Sequence, residues 1–326
     1  MKPKIYITNY AFAVREAVKI LETVGEVIPP ESTQRVLSIP KDQFVAKLQN
    51  VDVALAGNKE PFTADVIKSL PKLKMISLAS VGYDNVDVEA ATERGIIVTN
   101  TPGILQDAVA DMTMGLILAV IRQISRFDRE VRNGMWINRI TPDVWGKTLG
   151  IVGLGEIGSE VARRALGFKM NILYYDVQRK PGLEKELNIK YVSLEELLQE
   201  SDIVSLHVPL NDKTRGMIGK RQIALMKNGA YLINTARGAL VDENALYEAL
   251  KNGKLAGAGL DVLEIEPPLK DNPLLKLENV VFTPHVASNT DKNVDKICIR
   301  AAENIARFLN GKTPLYVVNP SVLRSS

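Results

Sequence analysis

Short apolar segments alternate with segments of helical period along almost the whole chain. In the first hundred residues, apolar runs at 5–8, 51–55, 75–78 and 96–99 read as strands, and amphipathic stretches at 15–21, 63–70 and 86–94 read as helices between them. A long helical segment follows at 105–125, and its middle, from Met112 to Ile121, is apolar on nearly every side. Such a helix must be buried, either within a core or against another subunit. From Thr148 the alternation restarts, with six candidate strands marked by Ile151, Ile172, 203–206, 231–234, 258–261 and 280–282. Strand–helix alternation of this kind predicts an α/β chain built on parallel sheets. The last helix, predicted over 291–308, has no strand after it in the second series, so it is expected to cross back to the first and make that domain discontinuous.

The second series opens on Thr148-Leu-Gly-Ile-Val-Gly-Leu-Gly-Glu-Ile-Gly158, an apolar strand of the buried parallel type running into Gly153-Leu154-Gly155-Glu156-Ile157-Gly158 and then a helical pattern. Each glycine has a physical reason to be there. Gly153 permits the tight turn, Gly155 lets backbone approach a pyrophosphate, and Gly158 lets the helix pack on the strand. The helix N-terminus offers unpaired N–H groups to the phosphates. Eighteen residues beyond Gly158, at the end of the next strand, stands Asp176, able to accept both hydroxyls of an adenosine ribose and to repel a 2′-phosphate. A lone Gly-x-Gly-x-x-Gly is usually a plain turn, but strand, helix, strand and acid at these spacings predict an NAD site. Arg179 and Lys180 lean toward NADP, which ranks second to NAD.

Composition narrows the setting. The 326 residues suit about two domains of roughly 150 residues each. A formal charge of +3 comes from scattered cations among nearly as many acids, with no basic stripe bearing aromatics, so no nucleic acid is expected as a partner. The one cysteine, Cys298, sits in an apolar helical stretch as core filling and suits a reducing cytoplasm. No signal peptide is read at the start, and the run from Met112 to Ile121 is too short to span a bilayer. A cytoplasmic protein without a membrane partner is expected, and no metal site.

Only two histidines exist, His207 in Ser205-Leu-His-Val-Pro-Leu210 and His285 in Phe282-Thr-Pro-His-Val-Ala-Ser288. Both follow apolar strands, at the carboxyl edge where ligands bind in such sheets. A histidine chosen blindly at such a place is a satisfied strand-end residue, so their neighbours must decide.

Those neighbours resemble a known family. Asn234-Thr-Ala-Arg-Gly238, Leu260-Asp-Val-Leu-Glu-Ile-Glu-Pro267 and Thr283-Pro-His285 are similar, in order, to the catalytic signatures of the D-2-hydroxyacid dehydrogenases, and Ser80-Val-Gly-Tyr-Asp-Asn-Val-Asp87 resembles their substrate loop. The resemblance implies two doubly wound parallel-sheet domains: a Rossmann NAD-binding domain over 101–286, and a flavodoxin-like, discontinuous substrate domain of 1–100 and 287–326, with the active site in the cleft between them and closure excluding water. It implies a catalytic trio of Arg237, Glu266 and His285. Arg237 has the rigid fork suited to a carboxylate and would polarise the keto oxygen. His285 as imidazolium would donate a proton, oriented by Glu266. Glu264 and Glu266 are not separable by periodicity; the place of Glu266 directly before Pro267 is what matches the family. The backbone of Val81 and Gly82 would take the substrate carboxylate. Asp261 would accept from the nicotinamide amide, Thr235 and Ala236 would pass beneath its ring, and His207, Val208, Pro209 and Thr214 would line the adenosine side.

The stretch Thr101-Pro-Gly-Ile-Leu-Gln-Asp-Ala-Val-Ala-Asp111 looks more like glyoxylate and hydroxypyruvate reductases than phosphoglycerate dehydrogenases, which usually carry Asn where Leu105 stands. The segment between Trp136 and Gly146 is shorter than in those reductases, whose tryptophan-bearing insertion reaches toward a neighbouring active site. The expected partners are a small 2-oxo or 2-hydroxy acid and a second copy in a homodimer, with the 112–121 helix as candidate contact. Two other readings stand: a D-3-phosphoglycerate dehydrogenase without a regulatory domain and, from another class, an NAD-sensing corepressor like the C-terminal binding proteins.

Overall fold

The computed structural model describes residues 2–30 and 40–324. The chain divides into two compact units, Met1–Leu105 with Thr290–Ser326, and Gln106–Asn289.

The first unit runs β1 (Lys4–Ile7), α1 (Arg15–Glu22), β2 (Glu26–Ile28), α2 (Lys41–Leu48), β3 (Val53–Ala56), α3 (Ala64–Lys68), β4 (Met75–Leu78), α4 (Val88–Glu93) and β5 (Ile97–Thr99). Its five strands are all parallel in the order β2-β1-β3-β4-β5, the flavodoxin arrangement. Central strands β3 and β4 are buried at every position, as expected where helices cover both faces. On one face Phe44 and Phe62 meet edge to face, 5.1 Å between centroids. On the other lies the C-terminal helix Asp291–Leu309, which packs on α1, β3 and β4. Ala301 and Ala302 bring its backbone close enough for the Ser77 hydroxyl of β4 to donate to the Ala301 carbonyl at 2.9 Å. Cys298 fills the same face, and burial pushes its thiol up to about 12, so it stays protonated.

The second unit runs α5 (Gln106–Ile121), α6 (Ile124–Arg132), β6 (Thr148–Val152), α7 (Glu156–Leu166), β7 (Asn171–Tyr175), α8 (Pro181–Leu187), β8 (Lys190–Tyr191), α9 (Leu194–Glu200), β9 (Ile203–Leu206), α10 (Lys220–Leu225), β10 (Ala230–Asn234), α11 (Glu243–Lys251), β11 (Leu255–Leu260) and β12 (Val280–Phe282). The seven strands are parallel in the order β12-β11-β10-β9-β6-β7-β8. This is the Rossmann order, reversing between β6 and β9, and ligands bind at the carboxyl ends beside that reversal.

Three details differ from the sequence expectation. The six strands anticipated in the second unit are seven, because β8 has only two residues, too short to show a period. In the first unit, β2 has three residues, and α2, with a mixed apolar pattern, also escapes a reading by period. The helix expected over 105–125 stops at Ile121; Gln123 adopts a left-handed φ of 52°, and α6 leaves at 61° to α5. Ile124 keeps the apolar period going past the true end. The run Met112–Ile121 is buried within a core, one of the two outcomes its apolar pattern allowed: α5 packs on α7, β10, β11 and β12, with Met114, Leu116, Ile117, Val120 and Ile121 buried. No single helix among the described residues is long and apolar enough to cross a membrane.

Candidate active site

The glycine loop after β6 has the geometry its sequence demands. Gly153 sits at φ 97°, and a Cβ there would lie 2.8 Å from the His207 backbone. At Gly158 a Cβ would meet the Gly153 carbonyl at 2.1 Å, so the helix could not seat on its strand. Gly155, at the N-cap of α7, faces open space, with nothing within 4 Å of an added Cβ. The open space, the first turn of α7 and its partial positive charge fit a pyrophosphate. Asp176, after β7, accepts the Leu154 N–H of the loop at 2.8 Å and the Gln178 N–H at 3.0 Å. A carboxylate offers about four acceptor positions, so this tether aims Asp176 across the glycine loop and leaves capacity for a diol. Beyond β9, Thr214 donates to the Pro209 carbonyl at 2.7 Å and accepts the Asn211 N–H at 2.9 Å, closing the loop that carries Val208.

The two histidines part company. His207 Nε2 lies 2.8 Å from the Ser205 hydroxyl, while its Nδ1 is buried without a partner. Burial pushes its pKa down to about 3, so the ring is neutral and offers no dissociable proton near neutral pH. His285 Nδ1 lies 2.7 Å from Glu266 Oε2, an arrangement that fixes the ring and turns Nε2 away from the acid. Glu266 Oε1 accepts the Leu263 N–H at 3.2 Å, so both its oxygens are engaged. Glu264, the neighbour with which sequence leaves it tied, is exposed; its N–H goes to Glu243.

The loop carrying His285 is shaped by Asp261, at the end of β11. Asp261 accepts the Val286 N–H at 2.9 Å and the Ala287 N–H at 3.0 Å, takes the Thr283 hydroxyl, and through its carbonyl receives the His285 N–H at 2.8 Å. These bonds hold His285 at φ 54°, a conformation rare outside glycine. Asp261 thereby positions this loop, with three of its carboxylate acceptor positions used.

Beside it, the loop after β10 is braced by Asn234, which sequence gave no reason to single out. Its Nδ2 donates to the Arg237 carbonyl at 2.8 Å, and its Oδ1 accepts the Ala236 N–H at 3.0 Å. Thr235 meets the Thr113 hydroxyl of α5 at 2.9 Å. Arg237 Nη1 bonds the Ala236 carbonyl at 2.7 Å. A Cβ on Gly238 would sit 1.9 Å from the Leu263 carbonyl carbon, so the loops bearing Arg237 and Glu266 pack as closely as glycine allows. Adjacent strands β10, β11 and β12 thus present Arg237, Glu266 and His285 at one edge of the sheet.

In the first unit, the loop after β4 is organised the other way round. Asn100 Nδ2 donates to the Val81 carbonyl at 2.8 Å, and the Ser80 hydroxyl donates to the Gly82 carbonyl, also at 2.8 Å. Both carbonyls are occupied by side chains, while the N–H groups of Val81 and Gly82 have no partner among the described residues. Asn100 does not announce this in sequence, because its pairing depends on β4 lying beside β5, and Ser80 makes a two-residue turn that any loop serine could make.

The chain is similar to known proteins along its whole length. Residues 114–287 match the family model described as D-isomer specific 2-hydroxyacid dehydrogenase, NAD binding domain. A glyoxylate reductase of Korarchaeum cryptofilum is 45% identical over 99% of this chain and 98% of its own. A D-3-phosphoglycerate dehydrogenase of Methanocaldococcus jannaschii is 44% identical over 93% of this chain but only 57% of its own. The crystal structure of D-lactate dehydrogenase from Aquifex aeolicus, complexed with NAD and lactic acid, superimposes with a TM-score of 0.84 at 32% identity, covering 99% of this chain and 98% of that one. The chain belongs to the D-isomer specific 2-hydroxyacid dehydrogenase family and is a D-2-hydroxyacid oxidoreductase, a 2-oxo acid reductase with an NAD-binding domain.

Proposed function

We propose that the protein reduces a small 2-oxo acid of the glyoxylate or hydroxypyruvate class with NADH, His285 acting as proton donor. The observation that carries this is the 2.7 Å pairing of His285 Nδ1 with Glu266, which orients the ring so that Nε2 is the donating atom. The dinucleotide would rest on Gly153, Leu154, Gly155, Glu156, Ile157 and Gly158, with Asp176 on its adenosine ribose. His207, Val208, Pro209 and Thr214 would line its adenosine side, and Thr235, Ala236 and Asp261 the nicotinamide. When bound, it supplies the hydride. The N–H groups of Val81 and Gly82 take the substrate carboxylate, and Arg237 grips the carboxylate and polarises the keto group. Proton donation from His285 as charge develops on that oxygen completes the alcohol.

The protein works as a homodimer in the cytoplasm. The segment between α6 and β6 supports the dimer: Met135, Ile137 and Trp145 are exposed there, Trp136 is 89% exposed and Ile140 is 100% exposed. An apolar surface of that kind marks a partner.

The test is a set of initial rates with NADH and NADPH on glyoxylate, hydroxypyruvate, pyruvate and 2-ketogluconate, and with NAD on D-3-phosphoglycerate. Fast NADH-linked reduction of an oxo acid is expected, falling about a thousandfold in His285→Ala while NADH still binds. Binding of NADH without turnover of any of these acids overturns the reading.

A further inference from the structure

Two cations follow the ribose acid. In related folds an arginine near this place accommodates a 2′-phosphate, so Arg179 and Lys180 stand at odds with NAD. The structure turns Arg179 elsewhere. Its Nε donates to Glu184 Oε1 at 2.9 Å, and its Nη2 donates to Glu184 Oε2 at 2.8 Å, a two-pronged grip on the first turns of α8. The guanidinium also lies 5.8 Å from the ring centroid of Tyr191 on β8. Glu184 is itself held in place: the Tyr174 hydroxyl, on β7, donates to its Oε1 at 2.6 Å. Its side chain is 15% exposed against 62% for Arg179, so the acid is the anchored member of the pair. The Arg179 and Tyr174 hydrogen bonds hold the Glu184 carboxyl far below the usual range, at about 2, which keeps it ionised near neutral pH. Tyr174 is fixed in turn by the Lys180 N–H at 2.8 Å, and Lys180 Nζ is drawn to the Gln178 side chain at 3.3 Å.

We propose that Glu184 is a specificity-determining residue: by holding Arg179 against α8 and Tyr191, it withdraws the cation that a 2′-phosphate would need. The site then discriminates against NADPH in two layers, repulsion by Asp176 and sequestration of Arg179. This rests on the NAD reading above. It also explains how a chain with two cations after β7 can keep an NAD-type acid. A bidentate pairing with a carboxylate competes directly with one to phosphate, since both use the same fork.

The experiment measures dissociation constants of NADH, NADPH and adenosine 2′,5′-bisphosphate by titration calorimetry. It uses the wild type, Asp176→Ser, Asp176→Ser with Glu184→Gln, and that double variant with Arg179→Ala added. Thermal melts confirm that each is folded. Asp176→Ser should tighten NADPH, and adding Glu184→Gln should tighten it about tenfold more, the worth of one charge-assisted contact, with NADH changed less than about twofold. Arg179→Ala should cancel the second gain. In the wild-type background Arg179→Ala should leave NADPH affinity unchanged, a result that does not depend on the folding of the Glu184 variants. The inference is overturned if Glu184→Gln adds nothing to Asp176→Ser, or if Arg179→Ala alone weakens NADPH severalfold. A wild type that binds NADPH but not NADH overturns the NAD reading and this inference together. NADH binding with an unresponsive Glu184 variant overturns the inference alone.

Discussion

Both units are doubly wound parallel sheets, yet the groups their candidate loops hold ready differ: anchored carboxylates in the second, peptide N–H groups in the first. In the second unit, backbone N–H groups fasten carboxylates: Leu154 and Gln178 hold Asp176, Val286 and Ala287 hold Asp261, and Leu263 holds Glu266. Side chains are thereby positioned to act. In the first unit, side chains fasten backbone carbonyls, Asn100 on Val81 and Ser80 on Gly82, and backbone N–H groups are positioned to act. The contrast follows from the chemistry each side would serve. Proton transfer needs a titratable group, which only a side chain offers near neutral pH. A carboxylate of any small acid needs only donors at the right spacing, which peptide N–H groups provide without rotamer freedom to lose. Variation in the substrate's remainder would then leave the carboxylate grip untouched.

The comparison can be broken first at its strongest point. Glu266→Gln should lower kcat about a hundredfold, with NADH affinity intact, while Glu264→Gln should stay within about twofold of wild type. Equal effects of the two substitutions in steady-state kinetics would remove the asymmetry that the pairing with His285 creates. Next in size, Gly158→Ala forces a methyl onto the Gly153 carbonyl. It should cost about 1–3 kcal/mol in denaturant unfolding and weaken NADH binding more than substrate KM. In the first unit, Asn100→Ala frees the Val81 peptide to rotate; KM for the oxo acid should rise about tenfold, the worth of one hydrogen bond to a charged group, with the NADH dissociation constant unchanged. A fall in kcat alone would mean that Asn100 orients something other than a carboxylate-binding donor.

The smallest effect concerns stability and pH. His207 is depressed to about 3 in the folded chain, against about 6.5 when unfolded. Between those values the unfolded chain carries a proton that the folded one refuses. This contribution to stability is complete above about pH 6.5 and is lost as pH falls toward 3, by at most about 1.4 kcal/mol per pH unit. His207→Gln should flatten that slope in urea melts taken between pH 7 and 5, and an unchanged slope would assign the acid sensitivity elsewhere.

How far sequence could see depended on whether a feature was local. The fingerprint, the Asp176 spacing and the long apolar strands are written in contiguous residues, and the architecture could be read from them. Strands of two or three residues, such as Lys190–Tyr191, carry no period, because their place is set by neighbours already in the sheet. The end of α5 was missed because Ile124 fits the helical stripe while Gln123 turns left-handed. The choice of Glu266 over Glu264, and the bracing of Val81 by Asn100, arise only when distant segments lie side by side, whereas the short-range turns made by Asn234 and Ser80 use residue types too common in loops to single out. Glu184 was equally silent, since an acid in an amphipathic helix is ordinary until an arginine is found on it.

The exposed segment between α6 and β6 has one more consequence. The chain has two tryptophans, and both sit there, Trp136 89% exposed and Trp145 65% exposed. Tryptophan emission from this protein therefore comes from a single stretch of surface and from neither sheet. Unfolding of the cores would pass almost unseen in that signal, whereas covering the segment would shift its colour toward the blue. The molecule carries its own dye for any partner that covers this segment and displaces the water around it.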